Sequence, residues 1–382
     1  MFPVRDLQRA AQISGRPALA LLREAVQLRR GIGRLGLSEY IGFRLFLDDL
    51  SFAQKACFGG WRADAALEEI LVDDYARFLS LDKTTMYAVL QGYGLPVPTL
   101  RAIYGARRPA SVPSLGTPRE LQAFLRAEGH LPAYLKPSFG VGGRGHIHLT
   151  GRDGDDLLRA DGSTLPVSAL ADTLGDGRGL GWLIQQPLAP HPAIAEHCGP
   201  GLSSVRVHTF LTPQGPQILR AVLRIHAGGD TADNFRGGTS GNLAGAVDRD
   251  SGRVTRVVSG TGFAQCTDPP HPLTGATLTG LQLPDWPAVR ELVCEAHTAF
   301  PGYIGPGWDI ALCPDGPRIL EVNFTGNIHM PQQAARRGFL DEELLELMAR
   351  RGLAGLLGSA RGARERSPQT GRIGRRKQHW AW

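Results

Sequence analysis

The sequence predicts an α+β fold: a helical N-terminal stretch, then a body of short strands interleaved with helices. Three observations carry this. Leu19, Leu21, Leu22, Ala25, Val26 and Leu28 recur at helix-like spacing. Two short apolar segments flank a glycine-rich run at residues 138–145. Two more flank Pro314-Asp315-Gly316, a turn signal. The 382 residues suffice for two or three structural units.

The first unit, residues 1–75, reads as a helical extension. Gly36, Ser38 and Glu39 mark a break and a fresh start before Tyr40–Leu47. A second unit covers residues 76–185. It opens with a helix over 76–92, ended by Gly94-Leu95-Pro96-Val97-Pro98. A helix over Leu115–Ala127 follows, with Thr117 as its cap before Pro118 and Glu120. Ala133–Leu135 and Ile147–Leu149 read as strands, and Gly151–Gly154 as a turn.

The third unit, residues 186–358, follows a short apolar strand at Trp182–Ile184 and is mainly strand at first. Val205–Phe210, Gln217–Ile225 and Val254–Val258 fit strands, with Gly237–Gly245 as a glycine-rich connection. Trp286–Phe300 is a helix. Ile310–Leu312 and Arg318–Val322 form a hairpin. Leu340–Leu353 is an amphipathic helix opened by Asp341-Glu342-Glu343. Residues 359–382 form a basic tail read as solvated and flexible.

Charge bounds the partners. The chain carries a net +6, and the tail alone holds seven basic residues and one acid. The body therefore sums to about zero, which argues against nucleic-acid binding. The five cysteines form no CxxC pair, which argues against a disulfide framework or a zinc ribbon and suits a reducing cytosol. No signal peptide and no run of 18 apolar residues is visible, so a cytoplasmic chain without a membrane span is expected.

Chemistry concentrates in two places. Gly140, Gly142 and Gly145 match a GxGxxG pattern. A strand follows where a dinucleotide-binding turn needs a helix, and no Gly-Lys-Ser/Thr follows for a Walker loop. Strand, glycine loop and strand instead make a flap whose backbone N–H groups can approach phosphate oxygens. Lys136, just before the loop, is placed to pair with phosphate. In the hairpin, a turn centred on Asp315 pairs Asp309 with Glu321 and Ala311 with Ile319, and puts Asn323 on the same face. Two opposed carboxylates repel unless a cation lies between them, and oxygen donors of this kind suit magnesium.

In this order, Asp82-Lys83, Leu95-Pro96-Val97-Pro98, Tyr134-Leu135-Lys136-Pro137, the Gly140–Gly145 loop and Asp309…Glu321-Val322-Asn323 resemble the ATP-grasp superfamily. Gln186-Pro187-Leu188 with His191-Pro192, Ser203-Ser204-Val205-Arg206-Val207 and Asp233–Gly238 resemble its sugar-transfer-associated branch, related to glutamate ligases. The resemblance implies an ATP-grasp fold, two α+β subdomains gripping ATP, with a helical N-terminal extension. It implies that Lys83 and Lys136 contact ATP phosphates, and that Gly140, Gly142, Gly143 and Gly145 form the mobile flap. Gln185, Gln186 and Leu188 would line the adenine hinge, where many relatives carry an acid, and His191 would reach the ribose or the acceptor. Asp309, Glu321 and Asn323 would bind magnesium, with Glu321 bridging two ions. Arg206, Arg224 and Asn234 would face the γ-phosphate and the acceptor.

The implied activity is ADP-forming ligation of a small-molecule carboxylate, activated as an acyl phosphate, to an amine or other nucleophile. A glycan or cell-surface metabolite follows only from the branch name. Phosphorylation of a sugar-like hydroxyl, or nucleotide binding without turnover, are the alternatives.

Overall fold

A computed structural model describes residues 4–105, 111–139, 145–175, 181–228 and 232–359. Gly140, Gly142 and Gly143 of the expected flap, and the tail beyond Ser359, lie outside the described residues.

The N-terminal stretch folds as helices Val4–Ser14, Ala18–Arg30, Leu37–Gly42, Phe52–Ala56 and Trp61–Leu71. The first four enclose a small core of Ala10, Leu21, Leu28, Tyr40, Phe46 and Phe58. Glu24 is its polar hub. It accepts from Arg16 Nη2 at 2.8 Å, Tyr40 OH at 2.7 Å and the buried Lys55 Nζ at 3.0 Å. Burial raises the Glu24 pKa, but these donors outweigh it and hold the carboxyl below its ordinary value.

Among the described residues the strands form two seven-stranded sheets. The first contains β1 (Leu100–Tyr104), β2 (Ser114–Leu115), β3 (Ala133–Pro137), β4 (Ile147–Asp153), β5 (Asp156–Arg159), β6 (Thr164–Pro166) and β7 (Trp182–Gln185), in the order β2-β1-β7-β3-β4-β5-β6. The second contains β8 (Ser204–Thr212), β9 (Gly215–Ile225), β10 (Leu243–Val247), β11 (Val254–Ser259), β12 (Cys266–Thr267), β13 (Gly307–Cys313) and β14 (Gly316–Asn323), in the order β12-β11-β10-β9-β8-β13-β14. The β1–β2 pair is parallel and the other described pairs are antiparallel. The α+β class stands.

Several elements differ from the sequence expectation. The helix expected over 76–92 is two helices, Asp74–Leu81 and Lys83–Gly92. Asp82 is extended between them, and its carboxylate accepts from Thr84 N at 3.1 Å, capping the second helix and making Lys83 its first residue. The helix expected from Leu115 starts at Pro118, because Thr117 and Glu120 form a capping box and Leu115 pairs with Tyr104 in β1. Gly151–Asp153 continue β4. The back half of the Gly237–Gly245 connection is β10, buried between β9 and β11. Its small residues (Leu-Ala-Gly-Ala-Val) lack the β-branched signature that marks a strand.

One core covers a face of the first sheet; a larger one surrounds the second sheet and also takes in Ile103 of β1 and Leu183 of β7. Helices Pro118–Arg126 and Val167–Leu174 supply Leu121, Phe124, Leu125 and Leu170 to the first sheet. Helices Trp61–Leu71 and Lys83–Gly92 supply Leu67, Leu71, Met86 and Leu90 to the core of the second. Lys83 thus starts a helix packed with the second sheet, while its N–H donates to Ser138 O at 2.9 Å, beside the end of β3. No helix among the described residues is long and apolar enough to cross a membrane.

Candidate active site

A cavity of ≈630 Å³ opens between the sheets. Lys136 of β3 and Gln185 of β7 line it from one side, Arg224 of β9, Asp309 of β13 and Glu321 of β14 from the other. Gln186, Leu188 and Asn234 also line it.

The acid pair comes from the hairpin. Asp309 stands opposite Glu321, as the spacing predicts, but the route differs. Cys313 pairs with Gly316 across a two-residue turn, and Ala311 faces Arg318, not Ile319. A bulge at Leu320 then restores the Asp309–Glu321 pairing. The bulge is held from outside the ladder. Ile319 N donates to Pro96 O at 2.9 Å, and Leu320 O accepts from Tyr87 OH at 2.9 Å.

Protein cations surround these carboxylates. Asp309 is buried and receives a two-pronged ion pair from Arg206, plus Arg224 Nη1 at 3.0 Å from Oδ2. Burial pushes its pKa up, but the two arginines outweigh it and hold the carboxyl below its ordinary value. Glu321 keeps 27% of its side chain exposed, with Lys83 Nζ 3.7 Å away. The Asn323 amide, oriented by its neighbours, accepts from Arg206 Nη2 at 3.2 Å and donates to Glu321 Oε1 at 3.3 Å. Arginine and lysine therefore relieve the repulsion between the opposed acids, and the pairing alone does not demand a metal.

The donor set still suits magnesium. It is all oxygen, two carboxylates and one amide, and Asp309 and Glu321 face the cavity. No cluster of three or more His, Cys, Asp or Glu among the described residues could hold a metal by itself. That fits an ion completing its shell with phosphate and water.

Arg224 is the most connected cation. Beyond Asp309, its Nη2 lies 3.3 Å from Asp233 Oδ1, its Nε donates to Ser204 Oγ at 3.0 Å, and its Nη1 donates to Asn234 Oδ1 at 3.2 Å. Burial works against its charge, but Asp233, Asp309 and Glu321 outweigh it and raise its pKa. Lys136 is the opposite case. It is buried and pairs with no carboxylate among the described residues; its Nζ donates to Tyr87 OH at 2.7 Å. Burial brings its pKa down to about 8, against the pull of Glu321 and Asp309. Burial likewise lowers Lys83. The same burial, with Lys136, Lys83 and Arg224 nearby, takes His146 down to about 3, so its ring is neutral beside Tyr134 OH at 2.8 Å.

Five residues expected at the site stand apart from the cavity wall. Arg206 lies behind Asp309, its remaining donor spent on Gly326 O. Breaking a buried pair of this kind costs about 3–5 kcal/mol, so Arg206 acts on the cavity through Asp309. His191 caps helix Pro192–Cys198, with Nδ1 accepting from Ala193 N at 3.1 Å. Lys83 and Asn323 adjoin Glu321. Gly145 has a left-handed φ of +78° and packs near Trp182. Gln185 is buried in the cavity wall with its Nε2 unpartnered, a donor suited to a ligand acceptor.

Sequence reading passed over Tyr87 and named Asp233 only within the Asp233–Gly238 motif, with no role of its own. Tyr87 sits one helical turn after Lys83, which was the available signal. Asp233 meets Arg224 only because the loop before β10 returns along β9, and no local pattern encodes that.

No curated protein sequence matches the chain. Among solved structures, the chain is similar to the L-amino acid ligase from Bacillus licheniformis (12% identity, 68% of this chain and 43% of that one, TM-score 0.37). It is similar also to the ATP-grasp ligase PsnB complexed with a phosphomimetic precursor variant, Mg and ADP (16%, 72% and 60%, TM-score 0.40). A third is D-alanyl-alanine synthetase A from Vibrio cholerae O1 biovar eltor (12%, 75% and 68%, TM-score 0.43). The chain spans well under two thirds of the first of these. The family profile described as sugar-transfer associated ATP-grasp matches residues 68–346. That span holds both sheets and every residue lining the cavity, and on it the chain belongs to the sugar-transfer associated ATP-grasp family.

Proposed function

We propose that the protein is an ATP- and magnesium-dependent ligase that activates a carboxylate as an acyl phosphate and joins it to an amine or another nucleophile, with release of ADP. The observation that carries this is Lys136, a buried ammonium on the cavity wall that pairs with no carboxylate among the described residues. A buried ammonium without a direct ion pair is costly even with Glu321 and Asp309 attracting it through space, and a polyphosphate would supply a directly bonded anion.

In this reading Lys136 and Lys83 hold phosphate oxygens. Gln185 and the segment through Leu188 hold the base, with the unpartnered Gln185 Nε2 as donor. Asp309, Glu321 and Asn323 would hold magnesium, which when bound neutralises charge on the phosphates. Arg224, fixed by Ser204, Asp233 and Asp309, points its charge to where the γ-phosphate and the attacking carboxylate meet. Both reactants are anionic, and a fixed guanidinium lowers their mutual repulsion without reorganising during the reaction. Asn234 then steadies the acyl oxygen while the nucleophile attacks. A glycan or cell-surface metabolite as substrate rests on the family description alone.

The test combines ATP, magnesium, hydroxylamine and a pool of amino acids and small carboxylic acids, with Glu321→Gln as control. ADP together with hydroxamate, both lost in the variant, is expected. AMP in place of ADP means adenylation and removes this mechanism. ADP with a stable phosphorylated sugar, and no hydroxamate, means a hydroxyl kinase.

A further inference from the structure

The near-zero charge of the body conceals a segregation. Residues 4–34 carry seven arginines (5, 9, 16, 23, 29, 30 and 34) against two acids, Asp6 and Glu24. Arg16 is held by Glu24. Arg5, Arg23, Arg29 and Arg30 are exposed and pair with no acid among the described residues. The N-terminal helices are thus a cationic surface fixed to a remainder, residues 35–358, that carries a net charge of −5 (28 basic and 33 acidic residues).

The same surface exposes apolar side chains. Helix Ala18–Arg30 buries Leu21, Ala25 and Leu28, and leaves Leu19, Leu22 and Val26 outward at 58%, 40% and 39% exposure. At 100° per residue these three fall within about 60° of the circumference. Arg29 flanks them on one side, Arg23 and Arg30 on the other. Ile13 and Ile32, at the neighbouring helix end and the following turn, are exposed too, at 48% and 38%. A helix with one face in the core and an arginine-bordered apolar face outside suits the plane between lipid headgroups and acyl chains, where arginine stems reach along apolar surface and their heads meet phosphate.

We infer that helix Ala18–Arg30 docks the protein on an anionic lipid membrane surface, its Leu19–Leu22–Val26 stripe entering the interface and Arg23, Arg29 and Arg30 contacting headgroup phosphates. The same face of a second copy is a poor occupant, because it would oppose arginines to arginines. Nucleic acid accounts for the arginines and leaves the leucines without a role. The described chain ends beside the same unit, where Arg34 Nη2 donates to Leu357 O at 2.7 Å.

The test is flotation of the full chain with vesicles of phosphatidylcholine alone, and of phosphatidylcholine with phosphatidylglycerol in equal parts. Two triple variants serve as probes: Leu19→Ser/Leu22→Ser/Val26→Ser and Arg23→Glu/Arg29→Glu/Arg30→Glu. All six positions are exposed, and circular dichroism with a thermal melt checks that both variants fold. Expected is binding to the mixed vesicles only, weakened by salt, and weakened at least about tenfold in each variant, since each arginine near such a surface contributes roughly fivefold. Equal binding to both vesicles, binding to neither, or binding unchanged in both variants overturns the proposal. So does tight duplex-DNA binding that the serine variant keeps while the vesicles are not bound. So does a dimer in solution that the serine variant dissociates.

Discussion

At the scale of single residues, the site is a balance between burial and charge. Lys136 carries the clearest pH signature. In the free protein its ammonium loses its proton near pH 8, against 10.5 for an ordinary lysine. Polyphosphate binding needs the charged form, so affinity for a non-hydrolysable ATP analogue should fall as pH rises through about 8, by up to about tenfold over the next unit. Calorimetry at several pH values checks this, and Lys136→Arg should flatten the profile, because arginine does not titrate there. Stability of the free protein runs the other way. Between about 8 and 10.5 the unfolded chain holds the Lys136 proton and the folded chain does not. Folding is therefore favoured more as pH climbs through that window. A Lys136→Met variant should lose this slope in denaturant melts.

At the scale of elements, the segment after β14 decides how the acids are held. Gly326 O accepts from Arg206, which grips Asp309, and Thr325 Oγ1 donates to Asp64 Oδ1 at 2.8 Å, linking this segment to helix Trp61–Leu71. Gly326 has φ +79°, and a Cβ there would lie 2.8 Å from Gly307 Cα and 2.9 Å from His208 Nε2. Gly326→Ala should therefore cost about 1–2 kcal/mol from the left-handed backbone alone, with the clash added. Denaturant unfolding reads the stability, and ADP formation should fall with it because the residue-326 carbonyl that holds Arg206 is displaced. A variant as stable and active as the parent would show that this close approach is unimportant. Helix Lys83–Gly92 has a comparable task. One turn of it delivers Lys83 to Glu321 and Tyr87 to both Lys136 and Leu320 O.

At the scale of the whole molecule, the cavity lies between two sheets, so a ligand that touches both couples them. Lys136 and Gln185 belong to one sheet, Arg224, Asp309 and Glu321 to the other. A saturating ATP analogue with magnesium should stabilise the fold by about 3 kcal/mol at a hundredfold excess over Kd. Differential scanning fluorimetry measures the shift. It should vanish in Lys136→Ala and shrink in Glu321→Gln. An equal shift in all three proteins would place the nucleotide elsewhere.

The sequence by itself determined the class of fold and the pairing of Asp309 with Glu321. Each of these is local: a capping box at Thr117, a hairpin around Pro314-Asp315, apolar periodicity in a helix. The tertiary structure decided what these groups do to one another. It turned Asp309 toward Arg206 and Arg224, so that protein cations relieve the repulsion between the acids. It set Arg206 behind the wall and His191 on a helix cap. It also brought Tyr87 to Lys136 and to Leu320 O, and Asp233 to Arg224. Such contacts join residues up to about a hundred positions apart or more (Arg206 and Asp309 among them), and spacing along the chain encodes only neighbours within a turn, a cap or a hairpin.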